Sequence, residues 1–242
     1  MTVILLRHGR STANTSHVLA GRSPGVELDE LGHIQAKGLI ARLSGLEIAQ
    51  IVHSPLLRCL QTVTPLATDR GLTPIVDDRL AEVDYGQWTG RELSELVREP
   101  LWKVVQQHAS AAVFPGGEGL AQVQVRAVAA IREHDIRLTE QHGRDVVWVA
   151  CSHGDVIKSI LADALATHLD SFQRIVAEPA SISVVRYTDT RPFVLRVNDT
   201  GSDLSGLAGP SEPKSVPGGE VPGAVEEPGD PPQGHRQETA RG

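Results

Sequence analysis

Thr2-Val3-Ile4-Leu5-Leu6-Arg7-His8-Gly9 opens the chain, and its partner stretch is Asp145-Val146-Val147-Trp148-Val149-Ala150-Cys151-Ser152-His153-Gly154. Each is a short β-rich run that ends in a His-Gly pair. Ligands of α/β proteins bind just beyond the carboxyl ends of parallel strands. Two such strands side by side would bring both histidines into one pocket, although they are far apart in sequence. That layout suits a histidine nucleophile with a histidine helper. The pair alone leaves metal ligand, general base and nucleophile open.

Working outward, further strands are expected at Gln50–Ser54, Pro74–Val76, Ser181–Tyr187 and Phe193–Val197. Helical patterns lie between them. Asp29 suits the cap of a helix to about Ser44, with Leu31, Ile34, Leu39, Ile40 and Leu43 near a 3.6-residue period. Pro55 suits the first turn of a helix running to Asp69 and ended by Gly71. Leu120–His142 reads as one long helix followed by Gly143, and Gly154–His168 as another. This alternation predicts an α/β fold: a three-layer sandwich whose mixed, mainly parallel sheet is flanked by helices. The last two strands read as an edge hairpin, and 181–198 offers a surface for a homodimer.

Composition narrows the function. Of the 242 residues, 40% are hydrophobic and only 3% aromatic, so Leu, Val, Ile and Ala must build the core, as in buried parallel sheets. A net charge of −7 argues against nucleic acid or an anionic membrane as partner. No apolar run approaches the roughly 20 residues of a membrane span. Arg7 and His8 interrupt the first apolar run too early for a secretory leader. Two cysteines, Cys59 and Cys151, make no disulfide framework, which points to a reducing cytoplasm. Both read as small buried residues. The ten histidines form no zinc signature, so no metal and no cofactor are expected.

The composition changes near residue 200. Residues 201–242 hold nine Gly and seven Pro, no aromatic residue, and seven acidic against three basic side chains. Such a stretch is expected to be a disordered acidic tail behind a domain of residues 1–200.

Three further segments carry chemistry. Residues 7–14 read RHGRSTAN: Gly9 allows a tight turn, Arg7 offers a rigid fork of donors for phosphate or carboxylate, and Ser11 and Asn14 add neutral donors. SPLLRCLQT at 54–62 puts Arg58 in the first turn of a helix, where a cation is unfavourable unless an anion sits beside it. LAEVDYGQWTG at 80–90 holds Glu82 and Asp84 without helical periodicity, as a functional loop with a proton donor would. Gly116-Gly117 reads as a turn. Trp102, with Leu101, Val104 and Val105, reads as an apolar contribution to a cap.

Together with LDELGHIQA at 28–36, PGGEG at 115–119 and SHG at 152–154, these segments resemble the histidine phosphatase superfamily, the phosphoglycerate-mutase-like enzymes, over roughly residues 2–198. The likeness is strongest to its small phosphatase-type members. The resemblance implies a phosphoglycerate-mutase-like fold with a small helical cap near 91–114. It implies His8 as the nucleophile that becomes phosphorylated and Arg7, Arg58 and His153 as the rest of the phosphate pocket. Glu82 is implied as proton donor to the leaving oxygen. Ser11, Asn14, Gly21, Tyr85 and Gly154, with Arg7 and Arg58, are implied on the substrate side.

The expected activity is metal-independent hydrolysis of small phosphorylated metabolites through phospho-His8. A phosphoglycerate-type mutase is the first rival. Residues 91–114 hold Arg91, Arg98 and Lys103 but not the paired arginines with which glycolytic mutases grip a carboxylate. A non-catalytic phospho-ligand-binding protein is the rival of another class, and it would need the arginines but no proton donor. Arg10 departs from the acid or glutamine common after RHG. It is either an extra cation for a second negative group on the substrate or a solvated loop arginine.

Overall fold

The computed structural model describes residues 1–201, so the expected acidic tail lies outside the described residues apart from its first position. Six strands are present: β1 (Thr2–Arg7), β2 (Ile48–His53), β3 (Ile75–Val76), β4 (Val147–Ser152), β5 (Ile182–Tyr187) and β6 (Pro192–Asp199). They form one sheet in the order β3-β2-β4-β1-β5-β6. The pairs β1–β4, β2–β4 and β2–β3 are parallel, while β5 runs antiparallel to β1 and β6 antiparallel to β5. The sheet is therefore mixed and mainly parallel, with the hairpin at one edge.

Seven α-helices accompany it: α1 (Thr12–Thr15), α2 (Glu30–Arg42), α3 (Leu57–Arg70), α4 (Leu93–Leu96), α5 (Pro100–Gln107), α6 (Leu120–His142) and α7 (Gly154–Ala164). Side chains alternate across a strand, so β1 feeds two cores. Ile4 and Leu6 pack with Leu39 of α2 and Val63 and Leu66 of α3. Val3 and Leu5 pack with Val123 and Ile131 of α6 and Ile157 and Leu161 of α7. The three layers follow from this alternation.

Several boundaries shift. Asp29 caps α2 by accepting from the Gly32 amide at 2.8 Å, and Gly71 and Gly143 end α3 and α6 in the left-handed conformation. Pro55, however, lies two residues before α3, because the Ser54 amide still bonds to Cys151 O at 3.0 Å and holds the strand end extended. Helix α7 stops at Ala164, short of His168. Ala166 has φ of +54°, and the Ala166 and Thr167 amides turn back onto Asp163 and Ala162. Helices α4 and α5 fall inside 91–114, but Leu93, Leu96 and Val105 are buried in the same core as α6, and Trp102 stacks on Trp88 at 6.3 Å.

Candidate active site

Strands β1 and β4 are parallel neighbours with Arg7 opposite Ser152, and the His8 amide continues the ladder onto Ser152 O at 3.0 Å. The two His-Gly turns thus leave adjacent strands at the same edge. Their rings lie 5.2 Å apart, tilted by 59°. The turn after His8 is tightly backed. A Cβ on Gly9 would sit 2.8 Å from Gly32 O, and one on Gly32 would sit 2.0 Å from Arg10 O. The LDELG segment is therefore a buttress: the capped start of α2 presses its glycine against the histidine loop. The Gly9 amide also donates to Thr62 Oγ1 at 2.9 Å, which ties the loop to α3.

Hydrogen bonds fix the state of each ring. His8 Nδ1 lies 2.7 Å from Gly9 O. A carbonyl only accepts, so Nδ1 carries the proton and Nε2 presents a lone pair. Arg58 Nε donates to that lone pair at 3.2 Å. Burial, then the positive charges of Arg58 and Arg7, hold the His8 ring well below the usual histidine range, so it is neutral. His153 faces Ser54 Oγ through Nε2 at 2.7 Å and receives Arg58 Nη2 on Nδ1 at 3.1 Å. Burial and Arg58 depress its basicity as well.

Arg58 connects the parts. It is 2% exposed, and its Nη2 also donates to Gly21 O at 2.9 Å. Its Nη1 is buried and has no acceptor. No carboxylate lies within ion-pair distance of it among the described residues. A buried guanidinium among neutral groups, with one N–H pair unused, suits an anion as its partner.

Glu82 completes the group. Its Oε2 is 3.9 Å from His153 Nδ1, and its Oε1 accepts from the Val83 amide at 2.9 Å. Its pKa is pushed up to about 7, mainly by burial and next by the charge of Asp155, against Arg58, the Val83 amide and Arg7. The loop around it is locked. Gly86 has φ of +52°, and a Cβ there would meet Pro115 O at 2.2 Å; Gly117 is pressed equally close to Asp84 O. Glu118 accepts from Arg22 at 2.8 Å, from Arg126 at 2.9 Å and from the Asp84 amide at 2.9 Å. Both arginines also donate to Glu82 O, at 2.8 and 3.2 Å. The PGGEG turn is thus the clamp on the loop that carries Glu82.

A narrow recess is lined by His8, Ser11, Asn14, Leu19, Ala20, Gly21, Arg58 and Glu82. Six of these are residues singled out in the sequence. Ser11 and Asn14 also cap each other: Asn14 Oδ1 accepts from the Ser11 amide at 2.8 Å and from Ser11 Oγ at 2.9 Å. Arg7, His153, Gly154 and Tyr85 do not line it. Arg7 is buried, with Nη1 donating to Ala177 O at 2.7 Å. Gly154 is buried at the start of α7. Tyr85 is fully buried, edge-on to Phe114, with its hydroxyl donating to Asp155 Oδ2 at 2.8 Å. No residue of 91–114 reaches the recess. A larger groove, about 800 Å³, runs along α2 beside Arg10, Leu31, Ile34 and Arg42. It contains neither histidine, and Arg10 there is paired with Asp29 at 2.5 Å.

Sequence reasoning passed over Leu19, Ser54, Thr62, Arg22 and Asp155. Asp155 follows His153-Gly154 directly, but an acid in a helix's first turn is ordinary, so only its neighbours in space reveal it.

The model of the histidine phosphatase superfamily (branch 1) matches residues 3–200. The chain belongs to this superfamily. It is 31% identical to phosphoserine phosphatase 1 of Hydrogenobacter thermophilus, over 82% of this chain and 92% of that protein. It is 29% identical to a probable phosphoglycerate mutase, GpmB, of Yersinia pestis, over 78% of this chain and 86% of that one. Its fold superposes on a mycobacterial glucosyl-3-phosphoglycerate phosphatase with a TM-score of 0.74 and 26% identity, covering 81% of this chain and 98% of that one. Family, fold and phosphatase relatives make this histidine phosphatase-type chain a phosphatase with the phosphoglycerate-mutase-like architecture. Among the described residues, no helix is long and apolar enough to cross a membrane.

Proposed function

We propose that the enzyme hydrolyses small phosphomonoesters by transferring the phosphoryl group to His8 Nε2 and then to water. The observation that carries this reading is Arg58, a buried cation with an unused donor, held between Nε2 of His8 and Nδ1 of His153. Phosphoryl transfer requires positioning and donors on the equatorial oxygens. Arg58 and Arg7 supply charge, and His153 holds Arg58 in place through Nδ1.

In the first step the N–P bond forms as the P–O ester bond breaks, and Glu82 gives its proton to the leaving alkoxide. In the second, water attacks phosphorus, Glu82 takes the proton, and the N–P electron pair returns to His8. A carboxyl with pKa of about 7 serves both directions near neutrality. His8, held well below its usual range, keeps its nucleophilic form down into mildly acidic solution. The pH profile of kcat/KM should therefore fall above about 7, as Glu82 loses its proton, and should hold through mildly acidic pH.

Phosphoserine, glucosyl-3-phosphoglycerate and p-nitrophenyl phosphate form the first substrate panel, because two phosphatases similar to this chain are named for the first two. Phosphate release from any of them, lost in His8→Ala, supports the reading. Release that persists at the wild-type rate in His8→Ala overturns it. Interconversion of phosphoglycerates faster than phosphate release would favour the mutase rival, to which the relative GpmB lends weight. Tight phosphate binding without turnover would favour the binding-protein rival. A reducing, cytoplasmic setting is part of the proposal, since Cys59 and Cys151 are both unbridged and buried. A homodimer through the β6 edge, where Phe193, Leu195 and Val197 are exposed, is tested by solution mass.

A further inference from the structure

Asp155 is wholly buried in the first turn of α7, two residues after His153. Its Oδ2 accepts from the Tyr85 hydroxyl at 2.8 Å, and its Oδ1 from Lys158 Nζ at 3.0 Å. Tyr85 lies three residues after Glu82 on the clamped loop. Lys158 is itself buried, bonded to Gln173 Oε1 at 2.5 Å and seated over the Phe172 ring at 4.6 Å. Burying a carboxylate and an ammonium together costs desolvation and is weak evidence of a stability role. Here the buried acid joins two elements that carry reacting groups.

We propose that Asp155 is a positioning residue for the reaction, tying the Glu82 loop to the His153 helix through Tyr85. The inference rests on the proton-donor role proposed above for Glu82. The charges that act on Glu82 are those of Arg58 from α3, Arg7 from β1 and Asp155 from the start of α7, the last partly offset by Lys158 at 3.0 Å; His153 Nδ1 lies 3.9 Å from its Oε2, and Arg22 and Arg126 hold its backbone carbonyl. The cations favour loss of the Glu82 proton and Asp155 opposes it. Without that opposing charge, the proton would leave at lower pH, and the donor form would be scarcer at neutrality.

The test compares phenyl phosphate with p-nitrophenyl phosphate, whose less basic leaving group depends less on a proton donor. Two variants are used. Tyr85→Phe removes the hydroxyl that makes the tie. Asp155→Asn combined with Lys158→Met removes the buried ion pair without stranding the ammonium. The expected result for the double variant is a descending limb of kcat moved down by a few tenths of a pH unit, because Lys158 at 3.0 Å offsets much of the Asp155 charge. At neutral pH its loss in kcat should be several-fold larger for phenyl phosphate than for p-nitrophenyl phosphate, with KM little changed. Tyr85→Phe should show the same leaving-group bias to a smaller degree. Equal losses on both substrates with an unmoved limb would overturn the proposal and leave a merely structural pair. If the double variant does not fold, an unbiased Tyr85→Phe overturns it alone. Wild-type phospho-His8 trapped during turnover keeps the two readings apart, since its absence would count against the proposed function and not against the tie.

Discussion

The two His-Gly turns are alike in sequence and in fold position, yet the structure gives them different surroundings. His8 bonds the carbonyl of its own next residue through Nδ1, takes the Arg58 Nε hydrogen on Nε2, and lines the recess. His153 bonds Ser54 through one nitrogen and the same Arg58 through the other, and lines no part of the recess. The difference teaches that the motif supplies two neutral imidazoles, while the surroundings of each decide which one faces the recess.

The comparison breaks most sharply at His8. His8→Ala should lower turnover by about 10⁴-fold or more, since loss of a nucleophile removes the covalent route altogether. His153→Ala should cost less, about 10²-fold, and should still yield trappable phospho-His8. If the two variants were equally dead and neither formed phosphohistidine, the division of labour would be wrong. Arg58 touches both rings, so Arg58→Ala should fall between them, at about 10²–10³-fold in kcat, or roughly 3–4 kcal/mol of transition-state stabilisation. Its KM for phosphomonoesters should also rise, because the unused Nη1 donor is lost to substrate and transition state alike. Steady-state kinetics on purified variants with unchanged circular dichroism checks all three.

The contrast also shows where the sequence stops being legible. Strand alternation, Asp29, Gly71 and Gly143 are local signals, and each marks an element the fold contains. The gathering of His8, Arg58, Glu82, Ser11, Asn14 and Gly21 at one recess was readable because their segments fall beside strand ends. Pro55 misled because the strand pairing of Ser54 outweighs a proline's preference for a helix start. Tyr85 is ambiguous in the sequence because a ring beside Gly86 reads equally well as a substrate contact or as core; in the structure it packs edge-on against Phe114 and bonds Asp155. In segment 91–114 the apolar residues Leu93, Leu96 and Val105 have a core within reach and are buried in it. The Glu118 clamp spans three distant segments, which one-dimensional periodicity does not display.

The smallest expected effect sharpens the comparison furthest, because it touches neither ring directly. The anchor of His8 is a backbone carbonyl and no side-chain substitution removes it. The anchor of His153 is the Ser54 hydroxyl at 2.7 Å, and Ser54→Ala removes it together with the bond that the same oxygen accepts from the Leu56 amide at 3.3 Å. Arg58 only donates, so its contact keeps Nδ1 as the lone-pair side and Nε2 as the N–H that the hydroxyl accepts. Without Ser54 that buried N–H is left with only the weak contact to Cys59 Sγ at 3.6 Å, a cost of about 1–3 kcal/mol for an unsatisfied buried donor. Part of that cost should appear as lower stability and part as slower transfer, so kcat should fall by about three- to tenfold with phospho-His8 still formed. Ser54→Thr restores a hydroxyl and should recover much of the loss if the pocket admits the extra methyl group. A fall as deep as that of His8→Ala would mean that His153 takes a more direct part in bond making than its enclosed position suggests. Parallel kinetics and thermal unfolding of the serine, alanine and threonine forms separate the two contributions.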